Sequence, residues 1–336
     1  MSRNMKQWVA EQIAAPRKKP LPVLSFPSIQ MMGITVRDLI SSSDKQAEGM
    51  KLIADREDTA ASVSLMDLSL EAEAFGSTIR VSDDEVPTVI GALVTSEEEA
   101  EALEIPEIGT GRTGIYVEAI EKAVKLITDR PVLAGTIGPF SLAGRLIGVS
   151  EALVLCYEEP DMVHAVMEKA TQFLIKYINA YKAVGADGVF MAEPLTGLLS
   201  PALEEEFSTP YVKRIVEATQ TDEFGIFYHN CGNNVVQMAD SLATLGVMGY
   251  HFGNVINVAD ILPKLPGDTI VMGNVDPARQ LRNGTPESVR QATLDVMEAC
   301  CGYPNFVISS GCDIPPMSPW ENIEAFFGAV NEFYQK

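Results

Sequence analysis

Two short stretches hold the residues best suited to chemistry. Tyr228-His229-Asn230-Cys231-Gly232 sets an imidazole and a thiol two residues apart, and Ser310-Gly311-Cys312-Asp313 brings a second thiol later in the chain. On a β-strand, residues i and i+2 face the same way. A strand running into His229 therefore aims His229 and Cys231 at one spot. Cys312 closes another apolar run and is the third candidate ligand. One nitrogen and two sulfurs form a borderline-soft set that suits Zn2+. Three protein ligands leave a fourth tetrahedral position for water or substrate, which is the pattern of a catalytic site, not a structural one.

Taken singly, each cysteine also reads as a small buried apolar residue. Cys156 lies inside a helical pattern, and Cys300-Cys301 ends one just before Gly302, so these three are read as packing. The cysteines number five, an odd count, and residues 1–24 lack the apolar core of a secretory signal. A reducing cytoplasm without disulfides is the expectation. No run of about 18 apolar residues is present, so no membrane span is expected. A net charge of −21 offers no basic face for nucleic acid or for an anionic membrane surface.

What must position these residues is an alternation of short apolar runs and helical patterns. The runs fall at 21–26, 61–68, 131–139, 188–194, 224–229, 247–252, 269–275 and 305–309. Long helical patterns fall at 35–56, 162–184, 201–219 and 235–245 among others, and Ser318-Pro319-Trp320-Glu321 opens the last. Continuous apolar strands joined by helices mean a parallel sheet covered on both faces. Eight such units predict a (β/α)8 TIM barrel. The runner-up, a doubly wound sheet, lacks a G-x-G-x-x-G turn. The expectation is one domain over residues 1–336, with residues 1–20 as an N-terminal extension carrying the helix Met5–Ala14. A small hairpin is expected between residues 79 and 94, after the second strand.

In such a barrel, functional residues sit just past the C-terminal strand ends. Glu193 and Asp276 are then candidate catalytic acids, although Asp276-Pro277 also reads as a helix cap. Asp67, Glu71, Tyr228, Asn230, His251, Asn254 and Asn274 are candidate substrate contacts.

His229-x-Cys231 with Cys312 in Ser-Ser-Gly-Cys-Asp-Ile-Pro-Pro resembles the zinc motif of methylcobalamin:coenzyme M methyltransferases. These belong to the uroporphyrinogen decarboxylase superfamily, whose fold is a (β/α)8 barrel. The resemblance extends through Glu71-Ala-Glu-Ala-Phe-Gly76, Gly138-Pro139-Phe140, Gly273-Asn274-Val275-Asp276-Pro277 and Pro319-Trp320-Glu321-Asn322. It implies methyl transfer from a methylated corrinoid to a thiol such as coenzyme M, activated at Zn2+; a pterin acceptor belongs to the same chemistry. The superfamily's decarboxylases bind a polycarboxylate through an arginine-bearing N-terminal segment. Here Leu21–Gly33 contains no arginine, so a metal-free decarboxylase is the weaker reading, beside a non-catalytic zinc-stabilised partner of a corrinoid protein. No Asp-x-His-x-x-Gly stretch is present, so the corrinoid is expected on a separate carrier or as free methylcobalamin.

Overall fold

The computed structural model describes residues 3–335. Seven parallel strands form one sheet in the order β1 (Ser62–Val63), β4 (Val132–Ile137), β5 (Gly188–Ala192), β6 (Gly225–Asn230), β7 (Gly249–Phe252), β8 (Ile270–Val275) and β9 (Phe306–Ser310). Every residue of these strands is buried, as the unbroken apolar runs require. The expected hairpin is present as antiparallel β2 (Thr78–Arg80) and β3 (Thr88–Ile90), with Thr78 opposite Ile90.

The eighth stave is not a strand. Residues 20–25 run between β9 and β1 without forming a strand, and Pro20 and Pro22 cannot donate to a ladder. Scattered bonds hold it, among them Leu21 N to Ile308 O at 3.0 Å, Val23 N to Ser310 Oγ at 3.1 Å, Ile314 N to Val23 O at 3.0 Å, Ser309 Oγ to Leu21 O at 2.7 Å, and Ala60 N to Pro20 O at 2.9 Å. These bonds nonetheless link the two edges of the sheet, so the chain folds as a TIM-type barrel. The second predicted strand is also shorter than its apolar run, with only Ser62 and Val63 pairing to β4.

Several helices break where polar caps or prolines intervene. The 35–56 pattern divides into Val36–Ile40 and Ser43–Arg56, because the Ser42 hydroxyl accepts from Lys45 N and starts a new helix. The 201–219 pattern divides into Pro201–Phe207 and Thr209–Thr219 at Pro210, which has no N–H to continue the ladder. Of 235–245 only Ala239–Leu242 is helical. The helices Pro139–Ile147 and Val149–Glu158 meet at a 102° bend; among the described residues no single helix is long and apolar enough to cross a membrane.

The barrel interior is filled from below. Phe190, Phe227, Ile270, Met272 and Val307 pack there with Met5, Trp8 and Val9 of the helix Met5–Ala14. Trp8 and Phe227 meet edge to face, ring centres 6.1 Å apart. Inward positions on β6 are therefore Phe227 and, two residues on, His229.

Candidate metal centre

His229 stands at the top of β6, 3% exposed. Cys231 follows in the turn, and Asn230 shapes that turn: its Oδ1 accepts from Gly232 N at 2.9 Å, and its Nδ2 donates to Thr196 Oγ1 at 2.8 Å. Cys312 follows β9, with His229 Nε2 and Cys312 Sγ 3.5 Å apart. One ligand atom from each of His229, Cys231 and Cys312 lies within 4.8 Å of the others.

This set fits zinc. Bond lengths of 2.0–2.1 Å to nitrogen and 2.3 Å to sulfur place N and S about 3.6 Å apart on a tetrahedral ion, against 3.5 Å here. The two thiols are hydrogen bonded to each other. That bond draws Cys231 below its ordinary value and, with burial, pushes Cys312 up to about 12. Binding of a cation to thiolate ligands displaces the thiol protons.

Behind His229 stands His251, its partner in the β6–β7 register, with the two Nδ1 atoms 2.6 Å apart. Burial, then the neighbouring His229, holds His251 well below the usual imidazole range. Asn254 follows β7 and is exposed; a Cβ on Gly311 would come within 2.9 Å of its Oδ1, so its side chain lies beside the Cys312 loop.

Other expected site residues take structural posts. Glu193 was expected to reach into the pocket, but it is fully buried and caps the helix Pro139–Ile147. Its oxygens accept from Phe140 N at 2.8 Å, Ser141 N at 3.1 Å and Ser141 Oγ at 3.0 Å. Burial outweighs these donors and pushes its carboxyl up to about 8. Asp276 caps the π-helical turn Pro277–Arg282 through Ala278 N and Arg279 N. Tyr228 points away from the interior, its hydroxyl 3.1 Å from Thr196 Oγ1, because alternation turns it opposite to His229. Asn274 ties the loop after β7, donating to Gly253 O and Ile256 O.

Asp67 and Glu71 stay near the mouth but are engaged. Asp67 pairs with Arg112 and accepts from Tyr116 Oη at 2.8 Å, while Arg112 also reaches Glu73 at 2.7 Å. Glu71 accepts from Thr136 Oγ1 and Ile137 N, and burial pushes it up to about 7. Asp313, next to Cys312, is raised well above the carboxylate range by burial and then by Cys312.

Two basic residues escaped the sequence reading. Arg112 lies in no motif. Arg145 sits on the helix Pro139–Ile147 with no hydrogen-bond or ion-pair partner among the described residues, and burial lowers its pKa. Exposed Leu198, Val255 and Met317 stand on the loops after β5, β7 and β9. A groove of about 670 Å³ at the opposite end, beneath the N-terminal helix, is lined by none of the expected site residues.

Residues 24–333 match the uroporphyrinogen decarboxylase (URO-D) family. The chain is 31% identical over 262 residues to the methylcobamide:CoM methyltransferase MtbA of Methanosarcina acetivorans, covering 77% of this chain and 75% of that protein. It is 28% identical over 285 residues to the uroporphyrinogen decarboxylase of Coxiella burnetii, covering 81% and 77%. A solved methyltransferase from Methanosarcina mazei superposes with a TM-score of 0.85 over 99% of both chains at 22% identity, a likeness of fold. The chain belongs to the uroporphyrinogen decarboxylase family, as an enzyme of its methylcobamide:CoM methyltransferase-like branch.

Proposed function

We propose that this protein moves a methyl group from a methylated corrinoid to a thiol such as coenzyme M, with Zn2+ held by His229, Cys231 and Cys312. The observation that carries the reading is the convergence of one imidazole and two thiols within 4.8 Å at the C-terminal ends of β6 and β9. The similarity to MtbA supports the same choice. When bound, the zinc supplies Lewis acidity that makes a substrate thiol lose its proton and leaves its sulfur nucleophilic. The sulfur–carbon bond forms as the cobalt–carbon bond breaks, and the electron pair stays on cobalt.

The chain's own residues bind and orient. The three ligands come from two strands held apart by β7 and β8, so they meet only over the barrel mouth. Glu193 fixes the helix that bears Arg145, whose unpaired guanidinium suits the anionic end of a sulfonated or carboxylated thiol. Leu198, Val255 and Met317 give the rim an apolar edge for the corrinoid, presented by a separate carrier protein.

Metal-free decarboxylation draws support from the 28% identity to a decarboxylase. The soft ligand cluster and the arginine-free segment Leu21–Gly33 favour the transfer reading over it. The test is metal analysis together with turnover. The purified protein should hold about one zinc per chain and convert methylcobalamin to cob(I)alamin when coenzyme M is added, with tetrahydrofolate as the alternative acceptor. Cys312→Ala should lose both properties. Zinc retained by that variant overturns the ligand set; zinc without turnover on any acceptor overturns methyl transfer.

A further inference from the structure

His229 can offer a metal only the ring nitrogen that bears no proton, and a chain of buried groups decides which one that is. Nε2 faces Cys312 Sγ at 3.5 Å, and Nδ1 faces Nδ1 of His251 at 2.6 Å. On its other side His251 Nε2 lies 2.8 Å from Ser309 Oγ, which lies 2.7 Å from the carbonyl oxygen of Leu21. His229, His251 and Ser309 are all buried, at 3%, 0% and 0% exposure, so no exposed water competes for these bonds.

The direction of every bond follows from its far end. A carbonyl oxygen only accepts, so the Ser309 hydroxyl proton is committed to Leu21. Toward His251 the hydroxyl then accepts, and His251 Nε2 must carry the proton. A neutral imidazole has one N–H, so His251 Nδ1 is bare. It accepts from His229 Nδ1–H, and that leaves His229 Nε2 bare, on the side of the two thiols. Among the described residues a charged His251 has no carboxylate partner, and an unpaired buried cation is costly.

We propose that Leu21 O, Ser309 and His251 form a positioning relay that sets His229 in its Nδ1–H tautomer and presents the Nε2 lone pair to the metal. The relay deepens the metal-centre reading and takes its purpose from it. Its acceptor is a neutral histidine on the adjacent strand, instead of the carboxylate or carbonyl that usually backs a metal-bound imidazole. The N-terminal extended stave thereby reaches the metal centre through a single carbonyl.

The tautomers can be read without metal or turnover. The chain has three histidines, and His164→Gln removes the one outside the relay. Long-range 1H–15N correlation on the metal-free protein should give His229 protonated at Nδ1 and bare at Nε2, and His251 the reverse. A proton on His229 Nε2 overturns the relay. Ser309→Ala and His251→Phe should each lower zinc affinity about 10–100-fold. His251→Gln, whose amide can accept from His229 and donate to Ser309, should restore most of the loss. Equal affinity in all three variants and the parent overturns the proposal, as does an equal loss in the Phe and Gln variants. Absence of turnover by the parent protein on any acceptor, with these tautomers present, would overturn the methyl-transfer reading alone.

Discussion

A Cβ added to Gly253 would stand 2.4 Å from the Cβ of Cys231 and 2.6 Å from its Cα. Glycine is thus the only residue that lets the turn after β6 settle where its thiol meets Cys312. Gly253→Ala must push backbone against backbone, at a cost of about 1–3 kcal/mol. The expected outcome is a folded protein with weakened zinc binding. Calorimetric zinc titration checks it, and unchanged affinity would show that the turn yields without moving the thiol.

The Arg112–Asp67 pair is almost dry, with side chains 11% and 0% exposed. Arg112→Ala leaves Asp67 buried with only Tyr116 and Ser69 as partners, and removing one member of a buried pair costs about 3–5 kcal/mol. Denaturant unfolding should record a loss of that size, partly recovered in the double variant Arg112→Ala/Asp67→Asn. A loss under 1 kcal/mol, the range of exposed pairs, would mean that water reaches the pair.

Glu193 makes stability depend on pH. Its carboxyl rises from an ordinary 4.5 to about 8 in the fold, chiefly through burial. Below 4.5 both folded and unfolded chains hold the proton, and the full stability is present. Above it the unfolded chain releases the proton first, so stability falls until the folded group also titrates near 8. Within that window the slope from one such group approaches roughly 1.4 kcal/mol per pH unit. Glu71, raised to about 7, adds in the same direction. Melting curves between pH 5 and 8 should flatten in Glu193→Gln; an unaltered slope would place the charged form in the fold at neutral pH.

Under the methyl-transfer reading Arg145, on the helix Pro139–Ile147 and without a hydrogen-bond or ion-pair partner among the described residues, is the proposed contact for the acceptor's anionic end. A charge-assisted hydrogen bond is worth about 1.5–3 kcal/mol, so Arg145→Ala should raise KM for 2-mercaptoethanesulfonate by about 10–100-fold. KM for uncharged 2-mercaptoethanol should move little. Equal effects on both thiols would exclude an anion contact.

Much of this architecture was legible in the chain. The apolar runs marked the β-strands, and the i, i+2 spacing pointed to His229 at the end of β6 and Cys231 in the turn just after it as neighbours. Two kinds of feature were hidden. Proline chemistry turned the 21–26 run into a stave with scattered bonds, although its apolar pattern reads as an ordinary strand. Acids such as Glu193 and Asn-type residues such as Asn274 look like pocket groups because they stand at strand ends, yet their side chains satisfy local backbone. Nothing in spacing alone tells a carboxylate that faces substrate from one that caps a helix earlier in the chain, as Glu193 caps Pro139–Ile147. Ser309 and Arg112 left no mark, because each acts through a partner far away in sequence.

The helix Met5–Ala14, with Trp8 seated on Phe227, makes the barrel a cup with a floor and not a tube. Under the methyl-transfer reading, acceptor and donor must then share one entrance. A small thiol slips in freely, whereas a carrier protein seated on the rim stoppers the cup. The kinetic signature is compulsory order: acceptor first, donor second, with surplus carrier protein inhibiting by shutting out the next thiol.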